Sequence, residues 1–404
     1  MAFEAGVVGK NLTEWQYGIA STKFRWNLSG TYQQVLPAYI STNADGSDEK
    51  EFLLEYFDSD ENMLNAIFLK GYQWPVDVRK IANNGSSVVD VAVYEQMQKG
   101  RRVFLDFRRN PTELKDDFSN LPNEGYDYLK NSNALFGLPI DRLVHMNKPS
   151  IELYKNNGID LHNEMLEIAV CAQHNNGGLG TNINWETNLS NFFAVGEVCG
   201  SHGVYRPGGS ALNAVQCGSA RAAQYAARKY KQSPLSKEEL IEKVQDQILV
   251  KVAMCEAMAD NKGVSNVLET RKQIGSLMSS FAAHIRTTKG LEKAIKQTKE
   301  KLDSFTQTIK DNYELPLAMQ NYDLLVCQYV YMSAMLDYIK NGGTSRGSFM
   351  IDGKVGDSAV PLSDVIQETL YDGDCSFNWR NIRPIPNKDD WFENVWNEFM
   401  SQRQ

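Results

Sequence analysis

A glycine-rich segment of the chain combines residue types that could hold a polar ligand. It runs from Gly196 to Gly209 and contains Glu197, His202 and Arg206. Glycine lets a ligand approach the backbone closely, a carboxylate accepts hydrogen bonds from ligand hydroxyls, and an arginine pairs with a carboxylate through two parallel hydrogen bonds. An alanine-rich stretch typical of a helix follows, and the N-terminus of a helix favours an anion or a ring carbonyl. Composition alone makes this a weak indication of a ligand-binding loop.

Four short motifs follow one another along the chain: Leu105-Asp-Phe-Arg108, Gln173-His-Asn-Asn-Gly-Gly178, the segment from Gly196-Glu197 to Leu212, and Ser345-Arg-Gly347. Their order resembles that of the flavoprotein family of fumarate reductases, succinate dehydrogenases and L-aspartate oxidases. The family pattern is Leu-Asp-Leu-Arg, then His-x-x-Met-Gly-Gly, then Gly-Glu with His-Gly-x-x-Arg-Leu-Gly-Gly-Asn-x-Leu, and finally Ser-Arg-Gly. The matching segments of this chain are 105–108, 173–178, 196–212 and 345–347. Together the motifs are far more specific than any one of them, and they extend across nearly the whole chain.

The resemblance implies that the chain binds FAD as its cofactor. Glu197 would hold the ribityl chain of FAD, while His174 and the backbone around Ala211 and Leu212 would face the flavin ring. The cofactor-binding residues implied in this way are His174, Gly196, Glu197, Gly208, Gly209, Ser210, Ala211 and Leu212. No metal site is predicted, because no two cysteines form a CxxC pair.

The resemblance also implies three catalytic residues. Arg206 would bind a substrate carboxylate, Arg108 would donate a proton on the face opposite the flavin, and His202 would contact the substrate. The role of Arg108 rests on the family alone, because an arginine has a very high pKa for an acid. Without the resemblance, the alternatives are a surface role for Arg206, a solvated basic pair of Arg108 with Arg109, and a structural role for His202.

The chain departs from the family pattern at two histidines. Gly18 stands where the family's Gln-Phe-His-Pro-Thr has its histidine, and Gln173 stands where the second motif has one, with His174 one place later. In the family these histidines bind substrate carboxylates. We therefore expect a small organic acid or unsaturated compound other than fumarate as the substrate.

The sequence contains no GxGxxG fingerprint for the ADP half of FAD. Residues 1–6 resemble the short helix that closes the family's first FAD-binding segment. We expect a truncated product, a mis-called start, or a split gene whose separate partner chain carries the GxGxxG half. A second hypothesis follows, in which this chain is a catalytically silent C-terminal half that binds a partner chain.

Apolar runs and turn residues predict the elements that position these motifs. Strands are expected over Arg102–Phe107 and Met165–Ala172, and a buried strand over Phe192–Val198. A helix is expected over Ala211–Arg228. Strand, glycine loop and helix then follow the order of a nucleotide-binding α/β layer. Residues 1–16 have a helix-like pattern.

The later part of the chain has helical patterns. Ser236 and Glu239 form a capping box. An apolar stripe runs from Leu291 to Ile309 at spacings of three and four, and a helix is expected over Leu315–Lys340. Such helices would form a small antiparallel bundle. The tail from Asp374 is expected to wrap the surface.

The expected fold class is therefore α/β plus α, with a partial, Rossmann-like FAD-binding domain, an α+β capping domain and a C-terminal helical bundle. The expected boundaries are 1–16 for the end of the first FAD-binding segment, 17–160 for the capping domain, 161–232 for the second FAD-binding segment, 233–345 for the bundle and 346–404 for the tail.

Composition excludes several classes of function. The 404 residues suffice for two or three domains. A net charge of −8 and a pI of about 5.4 argue against nucleic acid as a partner. No apolar run approaches the roughly 20 residues of a membrane span. The six cysteines are typical of reduced core thiols, so we expect a cytoplasmic location.

Overall fold

The computed structural model describes residues 1–206, 208–353, 362–382 and 391–401. Its strands are β1 (Gly9–Lys10), β2 (Trp15–Ser21), β3 (Trp26–Asn27), β4 (Ala38–Thr42), β5 (Lys50–Glu51), β6 (Arg102–Asp106), β7 (Leu166–Asn175), β8 (Gly178–Leu179), β9 (Ile285–Arg286), β10 (Met350–Ile351), β11 (Val365–Asp372) and β12 (Asp374–Asn381). Its helices are α1 (Thr31–Gln34), α2 (Asp60–Leu69), α3 (Val88–Gln98), α4 (Asn123–Asn131), α5 (Pro139–Asn156), α6 (Ser210–Lys229), α7 (Lys237–Asp260), α8 (Val267–Phe281), α9 (Thr288–Asp303), α10 (Leu315–Lys340) and α11 (Trp391–Ser401).

A six-stranded antiparallel sheet carries most of the first half of the chain, in the order β3-β2-β7-β6-β4-β5. The predicted strands that became β6 and β7 are confirmed. β7 lies beyond residue 160, the expected end of the capping domain, yet it pairs with both β2 and β6. Residues of α2, α3, α4 and α5 form one core with this sheet, so a continuous apolar interior fixes the strand β7 at its centre.

A second sheet joins the start of the chain to its end. It has four strands in the order β12-β11-β1-β8. Two predictions are therefore wrong. Residues 1–16 contain β1 and the start of β2 instead of a helix, and the tail from Asp374 begins with a strand paired to β11 instead of wrapping the surface. A two-residue strand such as β1 forms by pairing with distant strands and is too short to show an alternation of apolar and polar residues in the sequence.

The glycine-rich segment differs from the expected strand–loop–helix order at its first part. The predicted strand Phe192–Val198 is wrong: Phe193 makes only an isolated bridge to Glu186, and Gly196–Val198 is a 3-10 turn. Gly196 has a φ of +74°, which ends an extended run and favours glycine. The predicted helix is confirmed as α6. Among the described residues, β1 pairs antiparallel with β11 and β8, while Cys199 of this segment makes an isolated parallel bridge to Leu179, and the fold is mixed α/β.

The helices α7 to α10 occupy the region where a bundle was expected. The capping box of Ser236 and Glu239 is confirmed at the start of α7, and α10 has its predicted bounds. α9 ends at Asp303, so the last part of the Leu291–Ile309 stripe lies beyond the helix. α10 contributes buried residues to three apolar clusters. Within the described part of the chain, no helix is long and apolar enough to cross a membrane.

Candidate functional site

The site lies where β7 ends beside the start of β2. Gln16 and His174 are directly opposed in this strand pair. His174 Nδ1 lies 3.0 Å from Asn176 Oδ1, and the Asn176 amide donates to the carbonyl oxygen of Glu14 at 2.9 Å. The strand pairing and these two contacts fix the orientation of the histidine ring at the end of the sheet.

The loop between the 3-10 turn and α6 is held by side-chain amides. Asn11 Nδ2 donates to the Gly203 carbonyl at 2.7 Å, and Asn176 Nδ2 donates to the Val204 carbonyl at 2.9 Å. Immediately before these anchored residues, the His202 ring contacts the His174 ring edge to face, with 5.0 Å between the ring centroids. The loop therefore brings together two of the predicted site residues, His174 and His202.

Glu197 and Arg206 complete this group. His174 Nε2 lies 3.0 Å from Glu197 Oε1, although the pair lacks the alignment of a hydrogen bond. Arg206 donates from Nη2 to Gln16 Oε1 at 3.1 Å, and Gln16 Nε2 returns a bond to the Arg206 carbonyl at 3.2 Å. The pairing with Gln16 orients the arginine without neutralising its charge.

Three buried nitrogen atoms of this group have no hydrogen-bond partner among the described residues. They are His174 Nε2, His202 Nε2 and Arg206 Nε. An unsatisfied buried polar atom costs about 1–3 kcal/mol, so several in one place indicate a ligand that completes them. Burial lowers the pKa of His202, and the nearby His174 and Arg206 lower it further. A neutral His202 ring offers one donor and one acceptor nitrogen.

The start of α6 supplies an open surface next to these polar groups. Gly209 precedes the helix with a φ of +79°. Leu212 is 73% exposed and Val198 is 53% exposed. The 3-10 turn packs so closely on α6 that a Cβ at Gly196 would lie 2.6 Å from Val215 Cγ2. The positively polarised N-terminus of a helix beside exposed apolar side chains suits a flat ring with polar edges.

The opposite wall of the cleft comes from a turn that the sequence motifs did not reveal. The Arg79 guanidinium pairs with Asp77 at 2.8 and 2.7 Å and lies 5.9 Å from the centroid of the Tyr205 ring. Its side chain is 65% exposed, and the hydrogen bonds to Asp77 raise its pKa. A small cavity between the walls is lined by Gln16, Pro75, Val76, Asp77, Val204, Tyr205, Arg346, Gly347 and Ser348.

Arg108 is not brought to this cleft. Leu105 pairs with Leu166 on β7, and His174 lies eight residues further along that strand, which is about 26 Å at 3.3 Å per residue. The guanidinium of Arg108 instead pairs with Asp106 at 2.8 and 3.0 Å and donates to the Asn163 carbonyl at 3.1 Å. The structure thus assembles His174, Glu197, His202, Arg206 and the start of α6, and leaves Arg108 apart.

Comparison with known proteins confirms the resemblance expected from the motifs. No family model matches the chain. An uncharacterized FAD-dependent oxidoreductase of Methanocaldococcus jannaschii is 28% identical over 284 residues, which cover 68% of this chain and 46% of that protein. A CoM/CoB fumarate reductase subunit of Methanothermobacter marburgensis is 28% identical over 207 residues, covering 48% of this chain and 35% of that protein. The chain spans less than half the length of these two curated relatives.

The fold resembles that of solved flavoprotein chains. A quinol-fumarate reductase structure with menaquinol molecules matches with a TM-score of 0.63 at 19% identity, over 96% of this chain and 62% of the matched chain. The similarity therefore extends over nearly all of this chain and over part of a longer protein.

Proposed function

We propose that this chain forms the flavin- and substrate-facing part of an FAD-dependent oxidoreductase that acts on a small organic acid or unsaturated compound. One observation carries the proposal: unsatisfied buried nitrogens of His174, His202 and Arg206 meet beside Glu197 and the N-terminus of α6. The printed names of its relatives, an FAD-dependent oxidoreductase and a fumarate reductase subunit, support the same cofactor and reaction class.

The cofactor side of the site fits FAD in its chemistry. The Glu197 side chain is 56% exposed and can accept hydrogen bonds from the hydroxyls of a ribityl chain. The start of α6, from Gly208 to Leu212, presents the positively polarised end of the helix to a ring carbonyl. His174 Nε2 is buried and unsatisfied at the same place. When bound, FAD supplies the two-electron chemistry that the side chains of the protein lack.

The substrate side depends on two arginines and a histidine. Arg206, oriented by Gln16, can bind a carboxylate, and Arg79 on the opposite wall can bind a second anionic group. Burial lowers the pKa of His202, which favours its neutral form, and its enclosed Nε2 can exchange a proton with a bound acid. These groups would bind and orient the substrate.

Fumarate itself is not the substrate that we propose. Where the resembling family has a carboxylate-binding histidine, this chain has Gly18, and the Trp74 indole lies so close that a Cβ at Gly18 would be 2.6 Å from it. At the second such position, Gln173 donates its amide to the Gly18 carbonyl at 3.2 Å. The two positions are thus occupied by an indole and an amide, which favours a substrate of different shape or charge.

The domain layout and location belong to the same proposal. We assign residues 17–160 to a capping domain whose sheet also includes β7, residues 161–232 to a second FAD-binding segment and residues 233–345 to a helical bundle. All six cysteines are free, in keeping with a cytoplasmic protein.

The proposal is tested by flavin binding to the purified chain. FAD is titrated into the wild type, into Glu197→Gln, and into Glu242→Gln on α7 as the matched control, with and without a polypeptide that carries a GxGxxG half. We expect a flavin spectrum in at least one of these conditions, and affinity about tenfold weaker in Glu197→Gln alone, because a charge-assisted hydrogen bond is lost. A wild-type protein that stays colourless in both conditions would contradict the proposal and favour a catalytically silent half.

A further inference from the structure

Glu14 is buried at the base of the cleft and has contacts in two directions. Its side chain is 0% exposed, and Arg346 is 12% exposed beside it. Arg346 Nε donates to Glu14 Oε1 at 2.9 Å, and Ser348 Oγ donates to Glu14 Oε2 at 3.1 Å. One carboxylate therefore binds both ends of the short loop 346–348.

The main-chain carbonyl of Glu14 holds the wall of the cleft that is formed by the end of β7. Its carbonyl oxygen accepts hydrogen bonds from the amides of Asn176 at 2.9 Å and Gly177 at 3.3 Å. Asn176 in turn contacts His174 Nδ1 at 3.0 Å and anchors the loop through the Val204 carbonyl. The strand end that carries the flavin-side histidine thus depends on the backbone of Glu14, and not on its carboxylate.

The loop 346–348 in turn positions Arg79. The Val78 amide donates to the Gly347 carbonyl at 2.8 Å, which docks the turn bearing Asp77 and Arg79 onto the loop. Gly347 has a φ of +138°, and a Cβ there would lie 3.6 Å from Asp77 Oδ1. The hydrogen bond from the Val78 amide to the Gly347 carbonyl therefore couples the position of the turn to that of the loop.

We propose that Glu14 is a positioning residue that sets the two walls of the cleft independently, the flavin wall through its carbonyl and the Arg79 wall through its carboxylate. The expected consequence rests on the proposed function: the Glu14 carboxylate controls the binding of an anionic substrate and does not affect the binding of the cofactor. A purely structural ion pair would instead weaken both walls together when it is broken.

Hydrogen exchange tests the positioning role without any flavin. The full-length chain is compared as wild type, Glu14→Gln, Arg346→Met and Glu186→Gln. Glu186 is a matched control, because it is a buried carboxylate paired with Lys229 at 3.0 Å and lies apart from the loop 346–348. We expect the amide hydrogens of Val78–Lys80 to exchange about tenfold faster in Glu14→Gln and Arg346→Met, but not in Glu186→Gln. The exchange rates of the Asn176 and Gly177 amides should not change in any variant. Equal changes at both walls, or none at Val78–Lys80, would overturn the proposal.

Binding measurements test the consequence separately. In FAD-loaded protein, succinate serves as the carboxylate probe and is followed by the flavin absorbance. Glu14→Gln and Arg346→Met should bind succinate at least fivefold more weakly with unchanged FAD affinity, and Arg346→Lys should restore part of the loss. Equal weakening of FAD and succinate would overturn the separation of the walls. If the wild type binds no FAD, the proposed function fails, and hydrogen exchange alone decides the role of Glu14.

Discussion

Gln16 and His174 face each other across β2 and β7, and each side chain contacts a different part of one loop. Gln16 Oε1 accepts a hydrogen bond from Arg206 Nη2 at 3.1 Å, while His174 Nε2 lies 3.0 Å from Glu197 Oε1. Opposed residues of an antiparallel pair point to the same face of the sheet. This single register therefore aligns Arg206, proposed to bind a substrate carboxylate, with Glu197, proposed to bind the cofactor.

The first prediction concerns Gln16. In Gln16→Glu, the new carboxylate should pair with Arg206 and compete with an acidic substrate for its guanidinium. We expect the KM for an acid substrate to rise about tenfold, with FAD affinity unchanged. Steady-state kinetics and FAD titration measure the two effects. In Gln16→Ala, Arg206 loses its orienting partner but stays free, so a KM increase as large as that of the Glu variant would argue against competition.

The second prediction separates the two arginines implied by the family pattern. Arg206→Ala should reduce kcat/KM by about a hundredfold or more, because a charge-assisted pair with the substrate is lost. Arg108→Ala should change turnover less than twofold, because its guanidinium pairs with Asp106 far from the cleft. Flavin content is measured alongside to exclude loss of cofactor. A large effect in Arg108→Ala would require the cleft to be placed elsewhere.

The third prediction uses two glycines of the same segment. Gly196→Ala should destabilise the turn by about 1–3 kcal/mol, because its φ is +74° and its new Cβ would meet Val215. Gly208→Ala should be nearly neutral, since a Cβ there meets nothing within 4 Å. Thermal unfolding and FAD titration of both variants give the comparison. If both are equally stable, the close packing of the turn on α6 has no energetic weight.

The fourth prediction concerns the buried His284. Its ring packs on Tyr17 and Tyr94, and burial, followed by Arg286 and Lys70, lowers its pKa from 6.5 to about 3. Below pH 6.5 the unfolded chain binds a proton that the folded chain refuses, so stability is lost as the pH falls. Between pH 7 and pH 5 this amounts to about 2 kcal/mol.

The variant His284→Phe keeps an aromatic ring and cannot titrate. Its free energy of unfolding should therefore fall about 2 kcal/mol less than that of the wild type between pH 7 and pH 5. Urea unfolding at several pH values measures the difference, and His145→Phe, at a largely exposed position, serves as the control. Parallel curves for His284→Phe and the wild type would show that His284 titrates normally in the folded protein.

Local signals in the sequence determined much of the secondary structure, and contiguous motifs predicted which residues would face a flavin. The capping box of Ser236 and Glu239 and the bounds of α10 were predictable, because helix ends depend on neighbouring residues. The order of motifs also predicted the resemblance to flavoproteins. Each motif is a contiguous stretch of sequence, so it can be recognised without a three-dimensional structure.

Only the tertiary structure decided which charged groups meet in the cleft. Arg108 is the last residue of a recognisable motif but is held by Asp106 of that motif. Arg79 instead reaches the cleft because the Val78 amide bonds to Gly347, which is far away in sequence. The same holds for Glu14, whose partners Arg346 and Ser348 come from near the other end of the chain. Such contacts depend on strand register and packing between distant segments, and a local pattern carries no information about either.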